Sequence, residues 1–266
     1  MRPAAYSPQL TLIPSVLRPH CLARERLHMW KPFISHINQR HVALSEEEIR
    51  RIFNVMANAW SQLTHEAYSS GLLVWHVHCD KKSVPESLHA PAHQSHIASF
   101  VASLAGSYSG STISNYLYGL RAWHLLHSVE WKLNVIEMET LLKGAARLAP
   151  DSSKRKPRQP YMPDFMTKIG EHLDLTLPFD ASVFACLMDG FYSVVRIGEL
   201  TVPRLSAFDP AKHVTPANLR IETNQNGLEV TVLHIPRTKA APLEGEDVYW
   251  SRQAGPTDPY EALENH

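Results

Sequence analysis

Residues 190–200 read Gly-Phe-Tyr-Ser-Val-Val-Arg-Ile-Gly-Glu-Leu, and this stretch constrains the chain more than any other. Val183, Phe184, Leu187, Met188 and Phe191 recur at helical spacing, and the run ends abruptly in Arg196-Ile-Gly-Glu-Leu. A guanidinium placed straight after an apolar run needs an anion, because burying it unpaired costs several kcal/mol. Two partners are available: Glu199, three residues on, or a phosphate from outside the chain. The first makes Arg196 a structural ion pair, the second a binding group.

Size and composition narrow the field. The chain has 266 residues, room for one large domain or two ordinary ones. Lys plus Arg and Asp plus Glu balance at 26 each, so only local clustering of charge can speak to nucleic acid. The 16 histidines make that charge sensitive to mild acidity. Cys21, Cys79 and Cys186 are sparse and far apart, which argues against a disulfide scaffold and for a reducing compartment. No apolar run reaches the ~18 residues of a membrane span. The first residues lack the charged start and long apolar core of a secretory signal. The expectation is a soluble intracellular protein with no membrane partner.

Four segments follow from periodicity and punctuation. Residues 1–44, with proline and histidine and little period, read as an N-terminal arm. Residues 45–150 read as a helical bundle. Ser45-Glu-Glu-Glu48 forms a capping box, and Ile49, Ile52, Phe53 and Met56 follow on one face. Further faces carry Tyr68, Leu72, Trp75 and Cys79, then Ile97, Phe100 and Leu104, then Ile113, Leu117, Leu120 and Trp123, then Met138, Leu141, Leu142 and Ala145. Ser111 or Thr112 is the expected cap of the fourth of these helices. Residues 151–163 hold Lys154, Arg155, Lys156 and Arg158 among prolines and serines, a basic linker. Residues 164–266 change character: two helices, at about 164–173 and 181–191, precede alternating strands at 219–223 and 228–235. Between the strands, Asn224-Gln-Asn-Gly227 signals a hairpin turn.

Two stretches carry a resemblance to the tyrosine recombinase (phage-integrase-like) family, and in particular to recombinase-like proteins of fungal mobile elements. Thr112-Ile-Ser-Asn-Tyr-Leu-Tyr-Gly-Leu-Arg-Ala-Trp-His124 is similar to a helix of that family's SAM-like core-binding domain. Gly190–Leu200, followed after a strand by Thr238-Lys239, is similar to its first catalytic box and hairpin lysine. The resemblance implies a mainly α protein: an N-terminal SAM-like helical bundle, then a partial α+β catalytic domain with a small antiparallel hairpin. It implies that Arg196 matches the first catalytic arginine, Glu199 the acid of that box, and Lys239 the lysine that protonates the leaving oxygen. Phosphoryl transfer relies on positioning and on stabilising charge at equatorial oxygens, work that suits a guanidinium fork.

The chain also departs from that family. The family's His-x-x-Arg box and its tyrosine nucleophile follow the lysine on later helices. Here the stretch after Lys239 carries Pro242, Pro256 and Pro259 and one short helical pattern, Asp258–Leu263. His234-Ile-Pro-Arg237 fits His-x-x-Arg but precedes the lysine within a strand, and it reads as a decoy. Tyr249 and Tyr260 lie outside the family's context. The resulting expectation is a DNA-binding protein derived from a recombinase, with Arg196, Glu199 and Lys239 as catalytic remnants and no strand cleavage in this form. Double-stranded DNA is the expected partner, held also by Arg121, His124, Lys154, Arg155, Lys156 and Arg158. The expectation extends to a nuclear monomer that uses no small-molecule cofactor.

Two other readings stand beside it: an incomplete product of an active recombinase that forms a 3′-phosphotyrosine, and a tryptophan-rich helical adaptor that binds protein. His76, His78, Cys79, His89, His93 and His96 invite a zinc reading. Adjacent ligands at 78 and 79 point to different sides of a helix and no Cys-x-x-Cys is present, so no metal site is expected and Cys79 reads as a core thiol.

Overall fold

Serine, asparagine and proline set where the helices begin. In the computed structural model, which describes residues 10–33, 45–223 and 225–266, Ser45 Oγ accepts from the Glu48 N–H at 3.2 Å, and the Ser45 N–H donates to Glu48 Oε2 at 2.7 Å. This capping box opens α2 (Glu46–Ala57), which follows the short α1 (Arg26–Met29). Ser61 caps α3 (Gln62–Lys81), His93 caps α4 (Gln94–Leu104) and Asn134 caps α6 (Val135–Arg147). The cap of α5 (Gly110–Leu126) is Ser109, not Ser111 or Thr112. Its hydroxyl reaches the Thr112 N–H at 3.2 Å, so the helix starts a turn earlier than the apolar period suggested. Pro163 and Pro178 stand in the first turns of α7 (Pro163–Gly170) and α8 (Pro178–Tyr192), where a missing N–H is harmless. About 51% of the protein is helical, and among the described residues the strands form one sheet of three antiparallel strands, a mainly α fold.

The chain divides into two units, 1–156 and 157–266, and the division falls inside the basic stretch. In the first unit α3 and α5 pack closest of all. A Cβ on Gly119 would stand 2.3 Å from the Tyr68 carbonyl oxygen, and one on Gly71 would stand 2.4 Å from Tyr116 Cα. Each helix thus lends the other a bare backbone to lie against, and any side chain at either position forces them apart. Around this crossing Trp30, Trp75, Trp123, Phe100, Leu72, Ile97, Ile113 and Leu120 are fully buried. Each aromatic buries about 150–250 Å2, the dominant apolar contribution.

The expected N-terminal arm is not an arm where it is described. Leu27 and Trp30 lie in the same core. Trp123 Nε1–H donates to the Trp30 carbonyl at 2.7 Å. The buried Arg18 forks onto Asp80 at 2.9 and 3.2 Å and reaches Glu86 at 2.8 Å, tying this segment to the end of α3. Weak periodicity misled here because the segment is held by a buried ion pair and two indoles rather than by an amphipathic face.

The second unit has a smaller helical core of Met166, Phe184, Ala185, Met188 and Ala262, contributed by α7, α8 and α10 (Pro259–Glu264). Its sheet runs β1 (Leu219–Thr223), β2 (Glu229–Ile235), β3 (Glu246–Trp250), with Leu219 opposite Leu233 and Thr231 opposite Trp250. The expected hairpin is β1–β2. Asn224, the first residue of its turn signal, lies outside the described residues. Strand β3 was not expected: Glu-Asp-Val-Tyr-Trp shows little alternation, and it is a strand because β2 offers it a free edge.

Candidate functional site

The segment that leaves α8 places the first candidate residues. Ser193 N–H closes the helix on the Asp189 carbonyl at 3.0 Å, and Val194 then takes φ +57°. A β-branched residue in the left-handed region costs about 1–2 kcal/mol. The turn lets the chain fold back so that Ile197 seats against α8 at Gly190, where an added Cβ would stand 2.6 Å from Ile197 Cδ1. Arg196 becomes the N-terminal flank of the one-turn α9 (Ile197–Leu200).

Here the structure brings Arg196, Glu199 and Lys239 together. Glu199 Oε1 accepts from Arg196 Nη1 at 3.1 Å and from the Lys239 backbone N–H, also at 3.1 Å. Residues 199 and 239 are 40 apart in the chain and meet only through the fold. The Glu199 side chain is 12% exposed, while that of Arg196 is 66% exposed. An exposed ion pair at i, i+3 contributes about 0.2–1 kcal/mol, too little to explain the arrangement as a stability device. Glu199 instead fastens the β2–β3 connection to α9. It leaves the rest of the guanidinium fork facing solvent beside a loop whose Lys239 side chain is also exposed. Thr238 holds that loop: it is buried, its Oγ donates to Glu246 Oε2 and accepts from the Ala241 N–H at 2.9 Å.

Residues of the neighbouring motifs are engaged elsewhere. His234 Nδ1 bonds Asp247 Oδ1 at 2.8 Å, and Arg220 Nη2 donates to the same carboxyl at 2.6 Å. Arg220 and His234 together hold the Asp247 carboxyl below its usual range. Tyr260 lies beneath the Arg252 guanidinium, 3.9 Å from its ring centre, and Tyr249 sits half-exposed on β3.

Of the residues expected to touch DNA, Arg121 lies on the exposed face of α5, and Lys154, Arg155, Lys156 and Arg158 are all exposed. Lys154 pairs with Asp151 at 2.7 Å in full solvent. His124 is a correction. It is fully buried, its Nδ1–H donates to the Leu120 carbonyl at 2.8 Å and its Nε2 accepts from the Ala92 N–H at 3.0 Å. It cannot reach a phosphate. His127, which follows the last residue of that helix, is likewise turned inward and donates to the Leu27 carbonyl at 3.0 Å. The polar letter misled because an imidazole with both nitrogens satisfied is a good core residue.

His76 and His89 are structural too. His89 Nε2–H donates to the Val84 carbonyl at 3.0 Å, so its Nδ1 accepts from His76 Nδ1–H at 2.8 Å. Burial, then the neighbouring imidazole, drives the pKa of His76 down. Cys79 is fully buried, and burial holds it as a thiol. Among the described residues no group of three His, Cys, Asp or Glu is placed to hold a metal ion, and no helix is long and apolar enough to cross a membrane.

Two functional or structural features escaped the sequence reading. Arg18 showed no signal, because its acids lie more than sixty positions away. Asp189 did show one: a lone carboxylate in an apolar helix, Phe184–Phe191, one position before the glycine that opens the motif. In comparisons with known proteins, no family model matches the chain and no curated protein matches it.

Proposed function

We propose that this chain binds duplex DNA through its phosphate backbone, as a recombinase-derived protein that holds DNA without cutting it in this form. The observation that carries the reading is the meeting of Arg196 and the Lys239 loop on a single oxygen of Glu199. A largely buried acid that orders an exposed guanidinium and an exposed lysine loop is an arrangement for an anion larger than either group. A phosphodiester, with two free oxygens, fits a planar fork and a point charge side by side. In the same reading Arg121 and the run Lys154, Arg155, Lys156 and Arg158 follow the backbone, which positions a protein without reading bases. The helical unit takes the part of a SAM-like core-binding domain, and the protein works in the nucleus. Because His234 and Tyr260 are committed to other partners, the residues present supply grip and charge but no cleavage chemistry.

Fluorescence anisotropy of a labelled duplex across about 50–200 mM salt tests this. Affinity should fall linearly on a log–log plot, and Arg196→Ala and Lys239→Ala should each lower the slope by about 0.9. Neutralising the four basic residues between 154 and 158 should lower it most. Absence of binding at low salt, or a salt-independent affinity, removes the DNA reading.

A further inference from the structure

The second unit contains a cavity of about 480 Å3 walled on one side by α8. Its surface is mostly apolar, with Ala185, Leu200, Pro216, Leu233 and Leu263 among the walls. One α8 residue on that wall does not belong in an apolar lining. Asp189 is 4% exposed, and its Oδ1 is buried without a hydrogen-bond partner. The other polar side chains of the cavity have partners of their own: Thr201 Oγ donates to the Ile197 carbonyl at 3.0 Å and Thr215 Oγ to Asn218 Oδ1 at 2.8 Å. Ser182 Oγ–H donates to the Pro178 carbonyl at 2.6 Å and accepts from His266 Nδ1–H at 3.0 Å. Cys186, one turn before Asp189, is kept protonated by burial first and by the Asp189 charge second, and offers only a weak donor.

A buried polar atom with no partner is rare and costs about 1–3 kcal/mol, more when charged. Burial alone pushes the Asp189 carboxyl up to about 7, with no cation acting on it. The missing element is therefore a donor that enters from the cavity, and a charged donor compensates a carboxylate better than a neutral one. The volume lies within the ~300–1,000 Å3 range of small-molecule sites, which combine apolar walls with few polar groups.

We propose that this cavity binds a small apolar amine, whose protonated nitrogen donates to the Asp189 carboxylate on its wall while an aromatic or aliphatic body fills the lining. The proposal is independent of the DNA reading, since it uses neither Arg196 nor Lys239.

Tryptamine and tryptophol, which differ only in carrying an amine or a hydroxyl, serve as probes in calorimetric titrations of the full chain at pH 8. The expected result is one tryptamine per chain, bound at least tenfold more tightly than tryptophol. Asp189→Asn should erase that preference while tryptophol binding persists. Equal affinity for the two probes, tryptamine binding unchanged in Asp189→Asn, or no binding of either at millimolar concentration would each overturn the proposal. Should Asp189→Asn fail to fold, Thr201→Trp decides the matter. Thr201 is an exposed residue on the cavity wall, and an indole there should abolish tryptamine binding without lowering the unfolding temperature. Retained tryptamine binding in that variant would overturn the proposal as well.

Discussion

The two units of this protein bury opposite kinds of titratable group. The first encloses imidazoles: His124 is fully buried and satisfied on both nitrogens, His76 and His89 bond each other, and His127 faces inward. The second encloses a carboxyl, Asp189, with an oxygen left over. The first core is built on Trp30, Trp75, Trp123 and Phe100, the second on Met166, Phe184 and Met188 with small residues between. The large aromatic core tolerates polar rings whether both nitrogens are bonded, as in His124, or one is left over, as at His76 Nε2, because a neutral ring costs less to bury than a carboxylate. A small core with an unpaired acid is spending stability at a place where something else is to bind, and it should open first.

The largest test of this contrast is Arg18→Ala. It leaves Asp80 and part of Glu86 buried without their cation, a loss of about 3–5 kcal/mol. Since Trp250 is the lone tryptophan of the second unit, tryptophan fluorescence in urea reports mainly the first unit. Its midpoint should fall sharply while the far-UV transition of residues 157–266 stays in place. An unchanged fluorescence midpoint would mean that the N-terminal segment is not part of the first core.

Acidification should come next in size and should act on the units with opposite sign. Burial lowers His124 to about 4, so the folded unit binds fewer protons than the unfolded chain. Its stability is complete above about 6.5 and is lost as the pH falls towards 4, by about 3 kcal/mol from this residue. His76, His89 and His127 shift in the same direction, and burial is the first cause in each. Asp189 is raised to about 7 from 3.8, so its folded form binds more protons than the unfolded one. The second unit is therefore relieved of a penalty as the pH falls from about 7 to 4, by about 4 kcal/mol at most. Urea unfolding at pH 7.5 and pH 5 should show the two transitions moving towards each other. Parallel shifts would break the contrast.

The smallest effect is expected at Val194. Glycine tolerates the left-handed region without the Cβ penalty, so Val194→Gly should raise the stability of the second unit by up to about 1 kcal/mol. Because the side chain is exposed, no packing is lost. A stability loss would show that the turn is held by something other than backbone conformation.

Much of this was legible in the chain. The capping box at Ser45–Glu48, the helical faces of α3 to α6, the paired strands at 219–223 and 229–235, and the short helix after Asp258 all follow from local patterns that need no partner. Three misreadings share one cause. The N-terminal segment, His124 and β3 were judged by the polarity or periodicity of their own residues, and each is decided by what lies against it. Arg18 meets acids brought by α3, His124 meets the Ala92 N–H, and β3 meets the free edge of β2.

What the amino-acid order determined by itself is the set of local elements, because capping, proline placement and apolar period act within a few residues of backbone. It also singled out Arg196 and Glu199 as residues in need of an explanation, whereas Lys239 entered only through the resemblance. Only the tertiary structure decided that these three share one carboxylate oxygen and that Gly71 and Gly119 let two helices touch backbone to backbone. It alone decided that Asp189 faces a cavity unpaired. Those outcomes depend on distances between residues far apart in the chain, and hydrogen bonding and desolvation are set by distance, not by sequence separation.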